Sequence, residues 1–380
     1  MTLLSAQSLA ARLPDFLIAG PGHALAWEGV RRRLAAGPLA SLAARAADFF
    51  AAGHDGPQRL VGAVPFDPQA ADALFQPARE GTVPAGAPGA RGPALLPVQV
   101  RHEPPAAAFR AAVARATERI GAGEFDKIVL SRSLHLAASG DEEAGNLLAR
   151  LRADTLATVF SVPLPGGRHL IGATPELLLE RRGAQVFSHP LAGSARRSAD
   201  PRADRAAAAA LLGSDKDRRE HGMAAEMVLD TLAPFCRRIA AEETRPVPTA
   251  RMWHLGTRIA GELRDPDTPC AALLAALHPT PAVCGLPRAP ALAALPGLEG
   301  YDRGFYAGAV GWLEASGDGC WYLALRCAEL SATGARLYAG AGVVAGSDPA
   351  AEEAETSAKF LAMLAAFGID ESGNPMSPEE

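Results

Sequence analysis

Two kinds of periodicity interleave along the chain and sort it into many short strands and a few helices. Near the start, "DFLIAG" reads as a strand, "GVRRRLAAGPLASLAARAADFFAAG" as a helical stretch broken at Gly37-Pro38, and "RLVGAVPF" as another strand. Residues 78–98 are rich in Pro and Gly, which predicts an irregular surface connection or a linker between domains. From Phe109 the pattern sharpens. "FRAAVARATERIGAG" is an amphipathic helix closed by glycine, and "KIVLSRSLHL" alternates as a strand. "ATVFSVPL" and "HLIGAT" flank a turn at Pro165-Gly166-Gly167, and "LLLERRGAQVFSHPLAG" reads strand, turn, strand. Residues 201–242 form a helical stretch, "MWHLGTRIAGEL" a strand and "PCAALLAAL" a helix. The last third supplies the strands "YAGAVGWLEA", "CWYLALRCAEL" and "ARLYAGAGVV" before a terminal helix.

Strands follow one another as hairpin-like neighbours more often than as β-α-β units. The pattern therefore predicts an α+β fold with a mainly antiparallel sheet rather than a doubly wound parallel one. A length of 380 residues allows one large domain or two closely packed halves. With 48% hydrophobic and 21% charged residues the chain is globular, and a net charge of −5 gives no basic footprint for nucleic acid. No apolar run reaches the length of a membrane span, and "MTLLSAQSLAARLPDF" lacks the basic start and apolar core of a secretion signal. Five scattered cysteines with no C-x-x-C pair argue against a disulfide framework or a structural zinc site and fit a reducing cytoplasm.

Candidate chemistry gathers at "YAGAGVVAGSDPAAEEAETSAKF", residues 338–360. Asp348 and Pro349 are a helix start, and Glu352, Glu355 and Lys359 then fall on one face, beside the apolar face of Phe360, Met363, Leu364 and Phe367. An acidic first turn with a Glu355–Lys359 ion pair is the plain structural reading. The glycines 340, 342 and 346 suggest a phosphate-binding loop, but no strand and β-α-β unit follow, and adjacent carboxylates would repel a pyrophosphate. Glu220, on a helix with His221, would complete with Glu352 and Glu355 a set of hard oxygen ligands suited to Mg²⁺. Lys127 opens an apolar strand. Such a lysine usually reaches solvent, whereas a buried one can serve as a general base. Glu176 follows Thr174-Pro175 among leucines, where burial would raise its pKa and make it a proton donor.

Nine ordered segments then give a resemblance: "DKIVLSRS", "GATPELLLE", "HPLAGSARR", "SDKDRREHGM", "MWHLGTRIAGEL", "LHPTPAVCGLP", "FYAGAVGW", "ALRCAEL" and the acidic helix with its glycines. Over about residues 105–368 the chain resembles the chorismate-utilising enzymes of menaquinone, siderophore and tryptophan biosynthesis, and isochorismate synthases in particular. The resemblance implies a sandwich-like core of antiparallel sheets with helices outside. Residues 1–104 would be the N-terminal part of the fold, 105–370 the catalytic region and 371–380 an unstructured tail. It further implies an Mg²⁺-dependent enzyme with metal carboxylates Glu220 and Glu355 and with Glu352 close behind them. Lys127 resembles the base that activates water for attack at ring C2 of chorismate, and Glu176 the acid that protonates the departing C4 hydroxyl. Arg326 and Lys359 would hold the pyruvyl carboxylate, and Gly193, Ser194, Ala282, Val283 and Gly340 would line the pocket, with backbone N–H groups of the glycine loop near the substrate. His254 matches a histidine near the site to which no role is assigned.

Within the family, anthranilate synthases resemble this chain but carry glutamine at the position of Lys127, and aminodeoxychorismate synthases carry a reactive lysine at that of Ala192. Salicylate synthases keep the lysine and the acid, yet their loop differs from "AGSARRSADP" here. The expected activity is thus reversible conversion of chorismate to isochorismate for a siderophore pathway built on 2,3-dihydroxybenzoate. The alternatives are a menaquinone-pathway enzyme and a salicylate synthase that goes on to eliminate pyruvate. The resemblance allows a monomer working ahead of an isochorismatase or a pyruvate lyase. Two other classes stay open at this point: a binding protein that keeps the fold without turnover, and a nucleotide-binding enzyme built on the glycines.

Overall fold

A computed structural model describes the chain except for residues 1–13, 22, 54, 84–98, 138–143, 153 and 377–380. Most of the Pro/Gly-rich connection expected at 78–98 lies outside the described residues. Among the described residues, seventeen strands join one extended sheet and three form a small second sheet. Among the described residues every pairing is antiparallel, as the hairpin-like order of the sequence predicts. No helix among the described residues is long and apolar enough to cross a membrane.

The longest pairing joins Lys127–Ala137 to Gly334–Val344 in continuous register, from Lys127↔Val344 to Ala137↔Gly334. Alternation puts Ile128, Leu130, Leu134 and Leu136 on one face of their strand. The first two enter a large apolar core with Val343, Phe305 and Trp321. The last two enter a smaller core with Leu337 and with Phe360, Met363, Leu364 and Phe367 of the helix Pro349–Phe367. The start of this strand and the start of that helix therefore lie over neighbouring parts of one sheet. That juxtaposition makes the site.

Several local expectations change. Gly29–Arg33 belong to the strand His23–Arg33, paired with Ala73–Glu80, and the helix begins only at Leu42. Strand pairing satisfies that backbone while its arginines stay exposed, so their helical spacing decided nothing. The 201–242 stretch is two helices, Pro201–Gly213 and Asp215–Leu232, followed by the strand Cys236–Ala241. Ser214 separates the helices, and its hydroxyl accepts from Asp217 N at 3.2 Å as an N-cap. "MWHLGTRIAGEL" splits between the two sheets, as Met252–Gly256 and Ile259–Leu263. "CWYLALRCAEL" splits around Ala324–Arg326. A helix at Arg288–Glu299, obscured by Pro296, was not expected from the pattern. The unstructured tail expected at 371–380 is structured as far as Met376, whose N–H donates to Gly368 O at 2.9 Å.

Of the two readings of the glycine-rich stretch, the strand "ARLYAGAGVV" is the one present. Gly340 and Gly342 sit inside a strand, and only Gly346, with φ +81°, lies in a turn. Ser131, opposite Gly340, donates its N–H to Glu299 Oε1 at 2.6 Å, while Gly340 O accepts from Lys359 Nζ at 2.8 Å. Their peptide groups point out of the pair, so the Gly340 peptide edge faces the site.

Candidate active site

One cavity gathers residues from segments far apart in the chain, among them Glu176, the strand Leu191–Arg196, the helix residue Glu220, His254, the Ala282–Val283 turn, Tyr306, Arg326, and the strand and helix that carry Gly340 and Lys359. Ten of the twelve sequence-predicted site residues line it: Glu176, Gly193, Ser194, Glu220, Ala282, Val283, Arg326, Gly340, Glu355 and Lys359. Lys127 and Glu352 stand immediately behind that wall.

Lys127 is fully buried and its Nζ lies 3.0 Å from Glu220 Oε1. The two groups touch without forming a hydrogen bond, which leaves Nζ without a hydrogen-bond partner. Contact at this range depends on Gly342, because a Cβ there would stand 2.2 Å from Glu220 Oε1 and 3.3 Å from Lys127 Cε. Glu176 sits between two strands, 5% exposed, and Oε1 accepts only a long bond of 3.3 Å from Leu191 N. Burial pushes its pKa up to about 8, against weaker opposing effects of that bond, Lys127 and Arg326. The raised carboxyl pKa expected from the leucine-rich sequence is present. The group is protonated at neutral pH.

Glu355 meets the opposite fate. Burial alone would raise its pKa, but Lys359, Lys216 and Ser194 more than offset that and hold it below the ordinary glutamate range. Its Oε1 is 2.5 Å from Lys359 Nζ and accepts from Ser194 Oγ at 3.4 Å. The plain ion pair expected on the helix surface thus exists, but inside the cavity. Asp348 caps the helix as predicted, accepting from Ala351 N at 2.8 Å. Arg132 ties the same turn to the Lys127 strand, donating to Thr356 Oγ1 at 2.7 Å and to Ser357 Oγ at 2.6 Å. Glu352 is buried and paired with Lys216 Nζ at 2.9 Å, and burial followed by repulsion from Glu355 raises its pKa.

His254 has a defined tautomer. The Gly193 carbonyl 3.2 Å from Nδ1 can only accept, and the Arg326 guanidinium 3.1 Å from Nε2 can only donate. The ring is therefore neutral with its proton on Nδ1. Burial, and then Arg326 and Lys359, hold its pKa well below the usual histidine value. Arg326 is aimed by an unusual backbone, with φ +48°, and Gly193 by a bulge with φ +70°. Sequence reasoning missed Tyr306 and Tyr338, which line the cavity with rings stacked at 4.9 Å between centroids. "FYAGAVGW" carries the first of them, but nothing in spacing alone marks it.

The fit to a divalent cation rests on the donor set. Glu220 and Glu355 line the cavity, and Asp217, pushed up by burial and also by Glu220 and Glu355, reports how crowded negative charge is there. Among the described residues no three His, Cys, Asp or Glu side chains converge as a metal cage. Two carboxylate oxygens with room for substrate and water suit Mg²⁺, which is seldom held by protein alone.

The cavity and the wall behind it combine a buried acid, a buried amine, a cationic end and paired carboxylates. Residues 88–368 match the family model described as chorismate binding enzyme. An isochorismate synthase of Bacillus subtilis, DhbC, is 43% identical over 82% of this chain and 81% of its own length. The Escherichia coli isochorismate synthase EntC is 37% identical over 86% of this chain and 85% of its own. Among solved structures, a Bacillus anthracis protein described as a 2,3-dihydroxybenzoate-specific isochorismate synthase superposes with a TM-score of 0.86, at 37% identity over 97% of this chain and all (100%) of that one. The chain belongs to the chorismate-binding enzymes.

Proposed function

We propose that this protein is an isochorismate synthase, an isomerase that exchanges the C4 hydroxyl of chorismate for one at C2. The observation that carries the reading is Glu176 in the cavity wall, protonated up to about pH 8, together with the buried and incompletely bonded amine of Lys127 directly behind that wall at Gly342. Lys127 takes a proton from water as its oxygen bonds to C2. The ring double bonds shift, the C4–O bond breaks, and Glu176 protonates the departing hydroxyl, so one water enters and one leaves. Arg326, held from behind by neutral His254, offers a planar fork to the pyruvyl carboxylate, and Lys359 adds charge from the same side. Glu220 and Glu355 would hold Mg²⁺, which when bound neutralises the ring carboxylate. Roles for Gly193, Ser194, Ala282, Val283 and Gly340 as pocket wall follow from their positions.

Similarity to DhbC and to EntC supports placing the product in siderophore synthesis, ahead of a lyase or an isochorismatase that consumes it. Incubation with chorismate and Mg²⁺, with pyruvate followed by coupled lactate dehydrogenase, tests this. Isochorismate in equilibrium with chorismate and little pyruvate is the expected result. Pyruvate formed in step with chorismate loss, with no added lyase, would make it a salicylate synthase.

A further inference from the structure

Outside the cavity the chain buries a second set of charges that the mechanism above does not use. Arg303 and Glu299 are 3% and 5% exposed and form a two-pronged pair, Nε to Oε2 at 2.9 Å and Nη2 to Oε1 at 2.5 Å. Arg303 then reaches two backbone carbonyls, Val283 O from Nη1 at 2.7 Å and Val129 O from Nη2 at 2.6 Å. Glu299 Oε1 accepts from Ser131 N at 2.6 Å and Ser131 Oγ at 2.8 Å, and that hydroxyl meets Tyr301 Oη at 2.5 Å. Val129 and Val283 both line the cavity.

The two segments so joined are the first residues of the Lys127 strand and the wall segment Ala282–Leu286. They also touch directly: Val129 N donates to Cys284 O and Asp126 N to Leu286 O, each at 2.7 Å. Leu286 is the register partner of Lys127 itself, and a Cβ on Gly285 would stand 2.4 Å from Lys127 O. This two-residue strand is short, so its ladder alone holds the wall weakly. The guanidinium, stacked over Phe66 at 4.3 Å, spans the gap with a rigid fork that an ammonium cannot copy.

We propose that the Arg303–Glu299 pair is a positioning device for the reaction, locking the Ala282–Leu286 wall to the strand that carries Lys127 and so fixing where the amine stands relative to bound substrate. The inference rests on the isochorismate synthase reading for its kinetic consequence, but not for the geometry. A buried ion pair is a poor source of stability compared with apolar residues of similar volume, so its use here is better explained by the shape it enforces. Misplacement of a reacting group by about 1 Å costs on the order of 10²-fold in rate.

The test uses two variants. Arg303→Lys keeps the charge and loses the fork. The double variant Arg303→Met with Glu299→Gln removes the charges together and leaves Ser131 an acceptor, so it remains informative if the single variant does not fold. With both, kcat should fall by about 10–10²-fold, more in the double variant, while KM and the half-saturating Mg²⁺ concentration move less than about threefold. Amide hydrogen exchange over 127–131 and 282–286 should quicken, with 215–220 and 349–359 unchanged. A lower melting temperature with wild-type kcat would make the pair merely structural and overturn the proposal, as would unchanged exchange at both segments. If the wild-type protein leaves chorismate untouched, the functional reading fails instead, and the exchange pattern alone decides the clamp.

Discussion

Glu176 and Glu355 are the same residue type lining one cavity, the first buried and the second with 31% of its side chain exposed, and their acidities move in opposite directions. Burial governs Glu176, whose carboxylate accepts one long backbone bond and feels weaker opposing effects of Lys127, Arg326 and Lys359, and its pKa rises to about 8. Burial acts on Glu355 as well, but Lys359 at 2.5 Å, Lys216 and Ser194 reverse it. The charges that reach a carboxylate, set against how deeply it is buried, decide whether it carries a proton. The cavity therefore has a proton-donating end and an anionic end suited to a cation, a division of labour made with one side chain.

The anionic end should show the largest effect. Excess EDTA is expected to abolish chorismate turnover and added Mg²⁺ to restore it, as read by isochorismate formation. Full activity in chelator would remove the metal role assigned to Glu220 and Glu355. At the proton-donating end, Glu176→Gln and its partner change Lys127→Gln should each lower kcat by roughly 10²–10⁴-fold, with Mg²⁺ requirement retained. A change confined to KM would reduce both residues to substrate binding.

The donor end was the more legible in sequence. "GATPELLLE" alone predicts a carboxyl among apolar neighbours, and the structure supplies that environment directly. Antiparallel topology was legible too, because alternation and short turns are local properties. Residue roles at the anionic end came mainly through family resemblance, since three acids near a helix start look the same on any solvated helix. What spacing could not convey was contact across long sequence separations. The stretch with glycines 340 and 342 read both as the strand "ARLYAGAGVV" and as a phosphate-binding loop, and nothing local says that a strand from residue 127 pairs with it and decides for the strand. Tyr306, Tyr338 and the Arg303 clamp were hidden for the same reason.

Gly342 offers a finer probe of the anionic end. Its backbone is extended and accepts alanine, but the added Cβ would collide with Glu220 Oε1 at 2.2 Å, so the carboxylate must shift. Gly342→Ala is expected to weaken the apparent Mg²⁺ affinity by about 10–10²-fold, the size found when a metal ligand's surroundings are disturbed. Titration of activity with Mg²⁺ reads this. If Mg²⁺ dependence matched the wild type, the close approach of Gly342 would have no part in placing Glu220.

The last effect is on stability, and its sign distinguishes the two glutamates. Glu176 keeps its proton in the folded protein to about pH 8, whereas the unfolded chain releases it near 4.5, the ordinary glutamate value. Between those values the folded state binds the extra proton, so this residue's contribution to stability falls as pH rises, by up to about 1.4 kcal/mol per pH unit. Above the folded pKa the slope vanishes. Glu176→Gln has no such proton, and every other titrating group is shared with the wild type, so the difference between the two isolates this one. The variant should gain in melting temperature relative to the wild type from about pH 5 to about pH 8 and hold a constant gap beyond. Glu355→Gln should show no such gain, because its folded pKa lies below the unfolded value, and its lost contribution is one present above the unfolded pKa and absent in acid. Parallel melting curves for wild type and Glu176→Gln across that range would mean the acid ionises as in water, and the proton-donating end would lose its physical basis.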